Sequence, residues 1–179
     1  DFQKICLIVP CYNEQEVIDA CHQKISDAIA PLTSQFSFEI IYVNDGSSDA
    51  TLDHLYAIKQ KDARATIINL SRNFGKEAAM TAGLDHAIAE ATIILDADLQ
   101  DAPELIPDLI RVWKEQNADV VYGQRISRGG ETWFKKFTAA SFYHVINWIS
   151  RVQIPRNTGD FRLMSRRTVD SLKLLHEHH

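Results

Sequence analysis

The sequence predicts an α/β protein in which helices cover both faces of a mostly parallel sheet. The first observation is a set of short runs rich in Ile and Val that are apolar at successive positions, as strands buried on both faces are. The second is that longer amphipathic segments separate these runs, since regular alternation of strand and helix is typical of a parallel sheet. The predicted strands are 4–10, 38–45, 65–71, 91–98 and 118–124, and the predicted helices are 14–30, 49–61, 76–89 and 103–116.

The starts of two predicted helices carry capping patterns. Asn13 followed by Glu16, and Asp101 followed by Glu104, have the spacing at which each side chain satisfies a free backbone N–H of the first turn. Pro103 falls in a first turn, where the missing N–H of proline is tolerated. We therefore expect Asp101 to be a structural cap and leave it out of any metal site.

The alternation of strand and helix ends after residue 124. A glycine-bearing loop leads into the aromatic segment 131–152, within which a helix is predicted over 133–152. This helix has two interpretations. It is either a core helix that covers the sheet or a membrane-interfacial helix, with Trp and Phe among lipid headgroups and Lys135, Lys136 and Arg151 near anionic lipid.

Size and composition place the chain among ordinary globular proteins. Its 179 residues are 45% hydrophobic and 24% charged, which suits one domain, 1–179, that is itself soluble. The net charge of −5 argues against a general nucleic-acid binder. The cysteines Cys6, Cys11 and Cys21 form no CxxC pair, so no disulfide framework is expected and the reducing cytosol is the default compartment. No uninterrupted apolar run reaches membrane-spanning length.

Polar clusters follow four of the predicted strands. The carboxyl ends of parallel strands meet at one edge of a sheet, where the loops open a crevice that binds ligands. These clusters are therefore expected to converge on one site. They are VPCYNE (9–14), VNDGSSD (43–49), LSRNFGK (70–76) and DADLQ (96–100).

The DADLQ cluster places two carboxylates, Asp96 and Asp98, two residues apart. Residues two apart in an extended segment point the same way, so both carboxylates can face one cation. Hard oxygen ligands suit Mg²⁺ or Mn²⁺, and Mg²⁺ with few protein ligands usually shares its shell with phosphates. The alternative is a solvated acidic turn, but the position at a strand end favours the metal site.

The other clusters each have a binding interpretation and a structural one. Asp45 follows a buried strand and can accept hydrogen bonds from a ribose or a base, although Asp-Gly-Ser-Ser is also good turn chemistry. Tyr12 offers a flat ring that either stacks on a base or packs against the protein. The carboxylate of Glu14 suits a helix start as well as a binding site.

Five motifs occur in a familiar order and at familiar spacing: VPCYNE, VNDGSSD, SRNFGKEAAMTAGLDHA, DADLQD and TGDFRLMSR. On these motifs the chain resembles a family 2 glycosyltransferase with the GT-A fold, a Rossmann-like and mostly parallel sheet flanked by helices. The resemblance spans nearly the whole chain. It is greatest to the polyprenyl-phosphate glycosyltransferases, which include dolichyl-phosphate mannose synthases and bactoprenol glucosyltransferases.

The resemblance implies inverting, metal-dependent transfer of a sugar from a nucleotide-sugar to a polyprenyl phosphate at the membrane surface. It also implies roles for the positions that match the motifs. Nucleotide binding is implied for Pro10, Tyr12, Glu14, Val43 and Asp45, binding of Mg²⁺ or Mn²⁺ for Asp96, Asp98 and Gln100, catalysis for Asp98, Arg125 and Asp160, and contact with the acceptor phosphate for Arg125, Lys135 and Arg162.

The chemistry of such an acceptor bears on the role of Asp160. A phosphate monoester has a second pKa of about 6, so it is largely dianionic at neutral pH. An oxygen of this kind scarcely needs a general base. We therefore expect Asp160 to orient the acceptor or the metal shell and not to abstract a proton.

UDP-glucose is the favoured donor and undecaprenyl (bactoprenyl) phosphate the favoured acceptor, while the oligomeric state stays open. Members of this group usually continue into an amphipathic segment and often into transmembrane helices. A downstream membrane region is thus expected to be missing, and the enzyme is expected at the cytoplasmic face of the membrane. The alternatives are a GDP-mannose-dependent enzyme similar to dolichyl-phosphate mannose synthase and a non-catalytic nucleotide-sugar-binding module. A dinucleotide-dependent oxidoreductase is excluded because GxGxxG is absent.

Overall fold

The structure is a computed structural model that describes residues 2–122 and 161–176. The described residues form a six-stranded sheet with helices on both faces. The strands are β1 Gln3–Cys11, β2 Phe36–Asn44, β3 Ala65–Asn69, β4 Ala91–Ile94, β5 Val120–Tyr122 and β6 Arg162–Ser165. The helices are α1 Ile18–Ile29, α2 Thr51–Lys61, α3 Lys76–His86, α4 Ile106–Gln116 and α5 Arg166–His176, with 3-10 turns at Ala30–Leu32 and Pro103–Leu105.

The sheet has the strand order β3-β2-β1-β4-β6-β5. Strands β1 to β4 pair in parallel, whereas β6 runs antiparallel between β4 and β5. The prediction of a mostly parallel sheet is therefore confirmed. The chain reverses its direction of travel across the sheet between β1 and β4, and a crevice for ligands forms at such a switch point.

Both faces of strand β1, in the middle of the sheet, are buried, as its sequence predicts. Ile5, Leu7 and Val9 point into the core under α1, α2 and α4, and Cys6 and Ile8 point into the core under α3 and α5. Helix α3 lies close to the sheet at Gly83, where a Cβ would stand 2.5 Å from Ile8 Cγ2. In the described residues helices cover both faces of the sheet, and the polar loops lie at its edge.

The predicted capping boxes are wrong. Helix α1 begins at Ile18, later than predicted, and its N-cap residue makes no side-chain hydrogen bond to the helix. Asn13 has a positive φ of 55° and its Oδ1 accepts the backbone N–H of Ser48 at 2.9 Å. Asp101 likewise accepts the backbone N–H of Asp96 at 2.9 Å and does not cap the turn at Pro103–Leu105. In both cases the side chain accepts a backbone N–H outside the helix start that its spacing predicted it would cap.

Two strands end earlier than predicted. Strand β3 ends at Asn69 and not at residue 71, and β4 ends at Ile94 and not at residue 98. The predicted helix over 133–152 and its membrane-interfacial interpretation lie outside the described residues. Within the part of the chain that the structure describes, no helix has the length and apolar character needed to cross a membrane.

Candidate functional site

The loops after β1 and β2 are joined by reciprocal hydrogen bonds. Ser47 Oγ accepts the backbone N–H of Asn13 at 2.9 Å, and Asn13 Oδ1 accepts that of Ser48 at 2.9 Å. Thr51 Oγ1 accepts the backbone N–H of Glu14 at 2.8 Å. Backbone groups that would otherwise need water are thereby satisfied inside the protein. The two loops form one wall, on which Tyr12 stands 46% exposed.

The loop after β3 is held by the end of β2. Asp45 is buried, and its two carboxylate oxygens accept the backbone N–H groups of Phe74 at 2.8 Å and Gly75 at 2.9 Å. Gly46 lies under the same loop with φ +64°, and a Cβ there would stand 2.3 Å from the carbonyl carbon of Arg72. Only glycine fits so close a backbone approach at positive φ. The DGSS segment (45–48) therefore supports the loop after β3, in addition to lying at the site.

A pocket of about 280 Å³ opens where these loops meet the end of β4. All four polar clusters contribute to its lining. The VPCYNE, VNDGSSD and DADLQ clusters contribute residues that were predicted to bind ligands, and the LSRNFGK cluster contributes residues for which no role was predicted. Val43 is buried in the core beneath α3, and Gln100, which is exposed, does not line the pocket. The lining residues are Pro10, Cys11, Tyr12, Glu14, Asp45, Asn73, Gly75, Lys76, Ala79, Asp96, Ala97 and Asp98.

The two carboxylates after β4 are not presented by an extended segment, so that part of the prediction is wrong. The chain turns at Ala97–Asp98, and Leu99 adopts a positive φ of 62°. Asp98 is exposed and its Oδ1 accepts the backbone N–H of Gln100 at 3.0 Å. Asp96 Oδ2 lies 2.6 Å from Nζ of Lys76. Both carboxylates still line one pocket, but a turn positions them.

The pocket carries more negative charge than its surroundings neutralise. Burial and the neighbouring carboxylates Asp98, Asp96 and Asp49 raise the pKa of Glu14. Burial raises the pKa of Asp101 to about 6, with Asp96 and Asp98 adding to the effect. The raised pKa values of Glu14 and Asp101 indicate a local excess of negative charge, and a cation is stabilised in such a region.

The donor groups of this region fit Mg²⁺ or Mn²⁺. Across 2–122 and 161–176, no three His, Cys, Asp or Glu side chains are grouped tightly enough to enclose a metal by themselves. A Mg²⁺ ion is commonly held by one or two carboxylates together with substrate phosphates and water. Asp96 and Asp98 supply that number of carboxylates at the mouth of a pocket, so they suit an ion that arrives with a diphosphate.

Arg162 lies at the carboxyl end of β4, outside the residues that line the pocket. It begins β6 and pairs in register with Ile94 at the end of β4 and with Tyr122 at the end of β5. Its Nε is buried and has no hydrogen-bond partner among the residues that the structure describes. An unpaired buried donor is unfavourable and is usually explained by an ion, water or ligand. Arg125, Lys135 and Asp160 lie outside the described residues.

Three features of the pocket were missed by sequence reasoning. Lys76 and Asn73 line the pocket from the LSRNFGK segment, which suggested a site but no role for either side chain. Thr51 and Ser47 position the first loop through contacts that sequence spacing does not reveal. Cys11 also lines the pocket, but burial raises the pKa of its thiol, so it is neutral and unsuited to act as a nucleophile.

Residues 6–172 match the family model described as Glycosyl transferase family 2. This match covers most of the chain, which therefore belongs to that family. The resemblance drawn from the motifs is confirmed.

Two curated relatives show how far the similarity extends. An uncharacterized glycosyltransferase of Synechocystis sp. is 47% identical over 174 residues, which make up 97% of this chain and 54% of that protein. The bactoprenol glucosyl transferase of Shigella phage SfV is 43% identical over 176 residues, 97% of this chain and 56% of that protein. The chain thus spans about half the length of the curated relatives it matches.

Solved structures with the same architecture confirm the GT-A fold. The mannosyltransferase PcManGT from Pyrobaculum calidifontis, in complex with GDP-Man and Mn²⁺, superposes with a TM-score of 0.69 at 21% identity and covers 96% of this chain and 47% of that one. S. aureus TarS 1–349 in complex with UDP-GlcNAc gives a TM-score of 0.57 at 25% identity and covers 72% of this chain and 36% of that one.

Proposed function

We propose that residues 1–179 form a GT-A catalytic domain that transfers a sugar, with inversion and with a divalent cation, from a nucleotide-sugar to a polyprenyl phosphate. The observation that carries this proposal is the convergence of Tyr12, Asp45, Asp96 and Asp98 on one pocket at the carboxyl edge of the sheet. An exposed ring, a rigid loop and a pair of carboxylates are the parts that a nucleoside diphosphate and its cation require. The family and the bactoprenol glucosyl transferase relatives support the same reading.

On the donor side, each group has a distinct role in the proposal. Tyr12 stacks on the base, since its exposed ring lies at the rim of the pocket. Pro10 and Glu14 line the nucleoside portion, and the backbone at Val43 supports it. Asp45 holds the loop that closes this side of the pocket. Asp96 and Asp98, with Gln100 nearby, hold Mg²⁺ or Mn²⁺, which when bound offsets the charge that develops on the leaving diphosphate.

The donor is proposed to be UDP-glucose. This choice is supported by relatives named bactoprenol glucosyl transferase, which are 43% identical over nearly the whole chain. GDP-mannose is the alternative, because a protein of the same fold has been solved with GDP-Man and Mn²⁺ at 21% identity. A non-catalytic nucleotide-sugar-binding module would have the same pocket but no turnover.

The acceptor is proposed to be undecaprenyl phosphate at the cytoplasmic face of the membrane. Its phosphate is largely dianionic at neutral pH and attacks without needing a general base. Arg162 supports an anionic acceptor, because its buried Nε lacks a hydrogen-bond partner in the described ranges. Arg125 and Lys135 are proposed to contact the same phosphate, Asp160 to orient it, and the aromatic segment 131–152 to meet the membrane surface.

A transfer assay with two donors tests this function. The protein is mixed with undecaprenyl phosphate vesicles, Mn²⁺ and either UDP-glucose or GDP-mannose, and glycolipid is measured together with its anomeric configuration. We expect glucosyl lipid of inverted configuration from UDP-glucose, and a loss of at least about a hundredfold in Asp98→Ala.

A matched control separates this loss from a general effect of removing a carboxylate. Asp53→Ala alters an exposed aspartate on α2, outside the pocket, and should retain the activity of the unaltered protein. Nucleotide binding without any glycolipid would favour the binding module. Glycolipid formed equally well by Asp98→Ala would contradict the proposed metal site.

A further inference from the structure

Lys76 contacts the acidic group that follows β4. Its Nζ lies 2.6 Å from Asp96 Oδ2 in an ion pair. Lys76 is the first residue of α3, and it lines the pocket together with Asp45 and Asp98. The Lys76 side chain is 43% exposed and that of Asp96 26% exposed, so the pair lies at the pocket mouth and not in the core.

The ammonium contacts one of the two carboxylates that are proposed to hold the cation. Asp96 and Asp98 are the two carboxylates that suit Mg²⁺ or Mn²⁺, and the carboxylates of Glu14 and Asp45 line the same pocket. Lys76 therefore neutralises, in the protein alone, the carboxylate that the metal needs. A metal ion and the ammonium cannot both use the same oxygen at full strength, because they repel each other at short range.

We propose that Lys76 is an internal counter-ion for the cation site. In the protein alone its ammonium pairs with Asp96, and when nucleotide and cation bind together the ammonium moves to the donor diphosphate. This inference rests on the proposed function, since it takes a nucleoside diphosphate as the ligand. A lysine suits the exchange because its ammonium is a compact charge on a flexible stem, which reaches either partner by rotation. The motion needed is local and leaves the backbone of α3 in place.

The exchange makes loading of the site cooperative. A metal ion alone must displace the ammonium from Asp96, and a nucleotide alone brings more negative charge to an acidic pocket. When both arrive together, Asp96 takes the metal and the ammonium takes a phosphate oxygen. Each ligand then raises the affinity for the other by the same factor, as linkage requires.

Binding of Mn²⁺ alone tests the first half of the proposal. The fraction of free Mn²⁺ is measured by electron paramagnetic resonance for the unaltered protein, Lys76→Gln, Lys76→Arg and the control Lys24→Gln. Lys24 is a half-exposed lysine whose Nζ lies 3.7 Å from Glu104, outside the pocket. We expect Lys76→Gln to raise the affinity for Mn²⁺ about tenfold, with Lys76→Arg and Lys24→Gln near the unaltered protein. Equal affinity in the unaltered protein and a folded Lys76→Gln would overturn the proposal.

The effect of nucleotide on the same titration tests the second half. In the unaltered protein, saturating UDP should raise the affinity for Mn²⁺ at least about tenfold, and in Lys76→Gln this factor should fall several-fold. An unchanged factor in Lys76→Gln would contradict transfer of the ammonium to phosphate. If neither UDP nor GDP alters Mn²⁺ binding, the proposed function and this transfer both fail. The titration with Mn²⁺ alone would still decide whether Lys76 competes for Asp96.

Discussion

The carboxylate of Asp45 accepts the backbone N–H of Gly75 at 2.9 Å, which ties the end of β2 to the residue before α3. Its other oxygen accepts the N–H of Phe74 at 2.8 Å. These bonds position the first turn of α3, and with it Lys76, at the pocket. Asp45 thus acts on the site through the loop as well as by lining it.

Replacing Asp45 should release this loop. Asp45→Ala removes the acceptor of the Phe74 N–H and leaves the Gly75 N–H with Asn73 Oδ1, which it also contacts at 2.9 Å. We therefore expect the free energy of unfolding to fall by about 1–3 kcal/mol and nucleotide affinity to fall about tenfold or more. Asp45→Asn keeps one acceptor oxygen, so its free energy of unfolding and its nucleotide affinity should lie between those of the unaltered protein and Asp45→Ala. Urea denaturation and calorimetry measure the two effects. An Asp45→Ala protein with unaltered stability would show that the loop does not depend on this carboxylate.

Thr51 should be needed for the position of Tyr12 and Glu14. Its buried Oγ1 accepts the N–H of Glu14 at 2.8 Å and donates to Asp49 Oδ1 at 2.6 Å. Thr51→Val keeps the shape but removes both bonds, so we expect a loss of about 1–3 kcal/mol in stability and weaker nucleotide binding.

Thr81→Val is the matched control for Thr51→Val. Thr81 donates to the carbonyl of Glu77 one helical turn earlier, at 2.9 Å, and lies outside the pocket. Its replacement should change nucleotide affinity little. Equal effects of the two substitutions on affinity would remove any special role of the joined loops.

Asp101 should make stability depend on pH in the absence of divalent cations. Burial raises its pKa from 3.8 to about 6, so between these values the folded state holds a proton that the unfolded state has lost. Stability therefore falls as pH rises through this range and then levels off. Asp101→Asn keeps an acceptor for the N–H of Asp96 and removes the charge.

Comparison across pH isolates the contribution of Asp101. At pH 7 we expect Asp101→Asn to be more stable than the unaltered protein by about 1–3 kcal/mol, with the difference vanishing near pH 4. Thermal denaturation in the presence of a chelator measures both. A difference that stays constant from pH 4 to pH 8 would show that the charge of Asp101 is not responsible.

Substitutions of Arg162 and Arg167 should have separate effects, one on acceptor binding and the other on stability. Arg162 Nε has no hydrogen-bond partner among the described residues, whereas Arg167 pairs with the buried Asp119. Arg162→Met should therefore change stability little but raise the KM for polyprenyl phosphate at least about tenfold. Arg167→Met should lower stability by about 1–3 kcal/mol and leave that KM unchanged. The reverse pattern would contradict the acceptor role of Arg162.

The parts of the fold that the sequence predicts are those that depend on continuous apolar runs. Strand β1 is recognisable because Ile5 to Val9 are apolar at successive positions and both faces of the strand are covered. Strand β6 is not recognisable, because Leu163 and Met164 are its only apolar residues and so short a run has no measurable period. Pairing with β4 and β5, and not local sequence, makes it a strand.

The same limit applies to the candidate site. Convergence of the polar clusters was predictable because parallel strands place their carboxyl ends together. The partner of each side chain was not, since Asn13 and Asp101 obey local capping rules but form their hydrogen bonds with Ser48 and Asp96. Such contacts depend on tertiary packing, which decides between several local possibilities of similar energy.

Calorimetric titration with UDP and with GDP, each with and without Mn²⁺, decides whether this pocket is a metal-dependent nucleotide site. We expect one of the two nucleotides, UDP by preference, to bind at least about tenfold more tightly with Mn²⁺, and Asp98→Ala to abolish this enhancement. Asp53→Ala should behave as the unaltered protein. Folded protein that binds neither nucleotide, or binds one with an affinity indifferent to Mn²⁺ and to Asp98, would contradict a metal-dependent nucleotide-sugar site in this pocket.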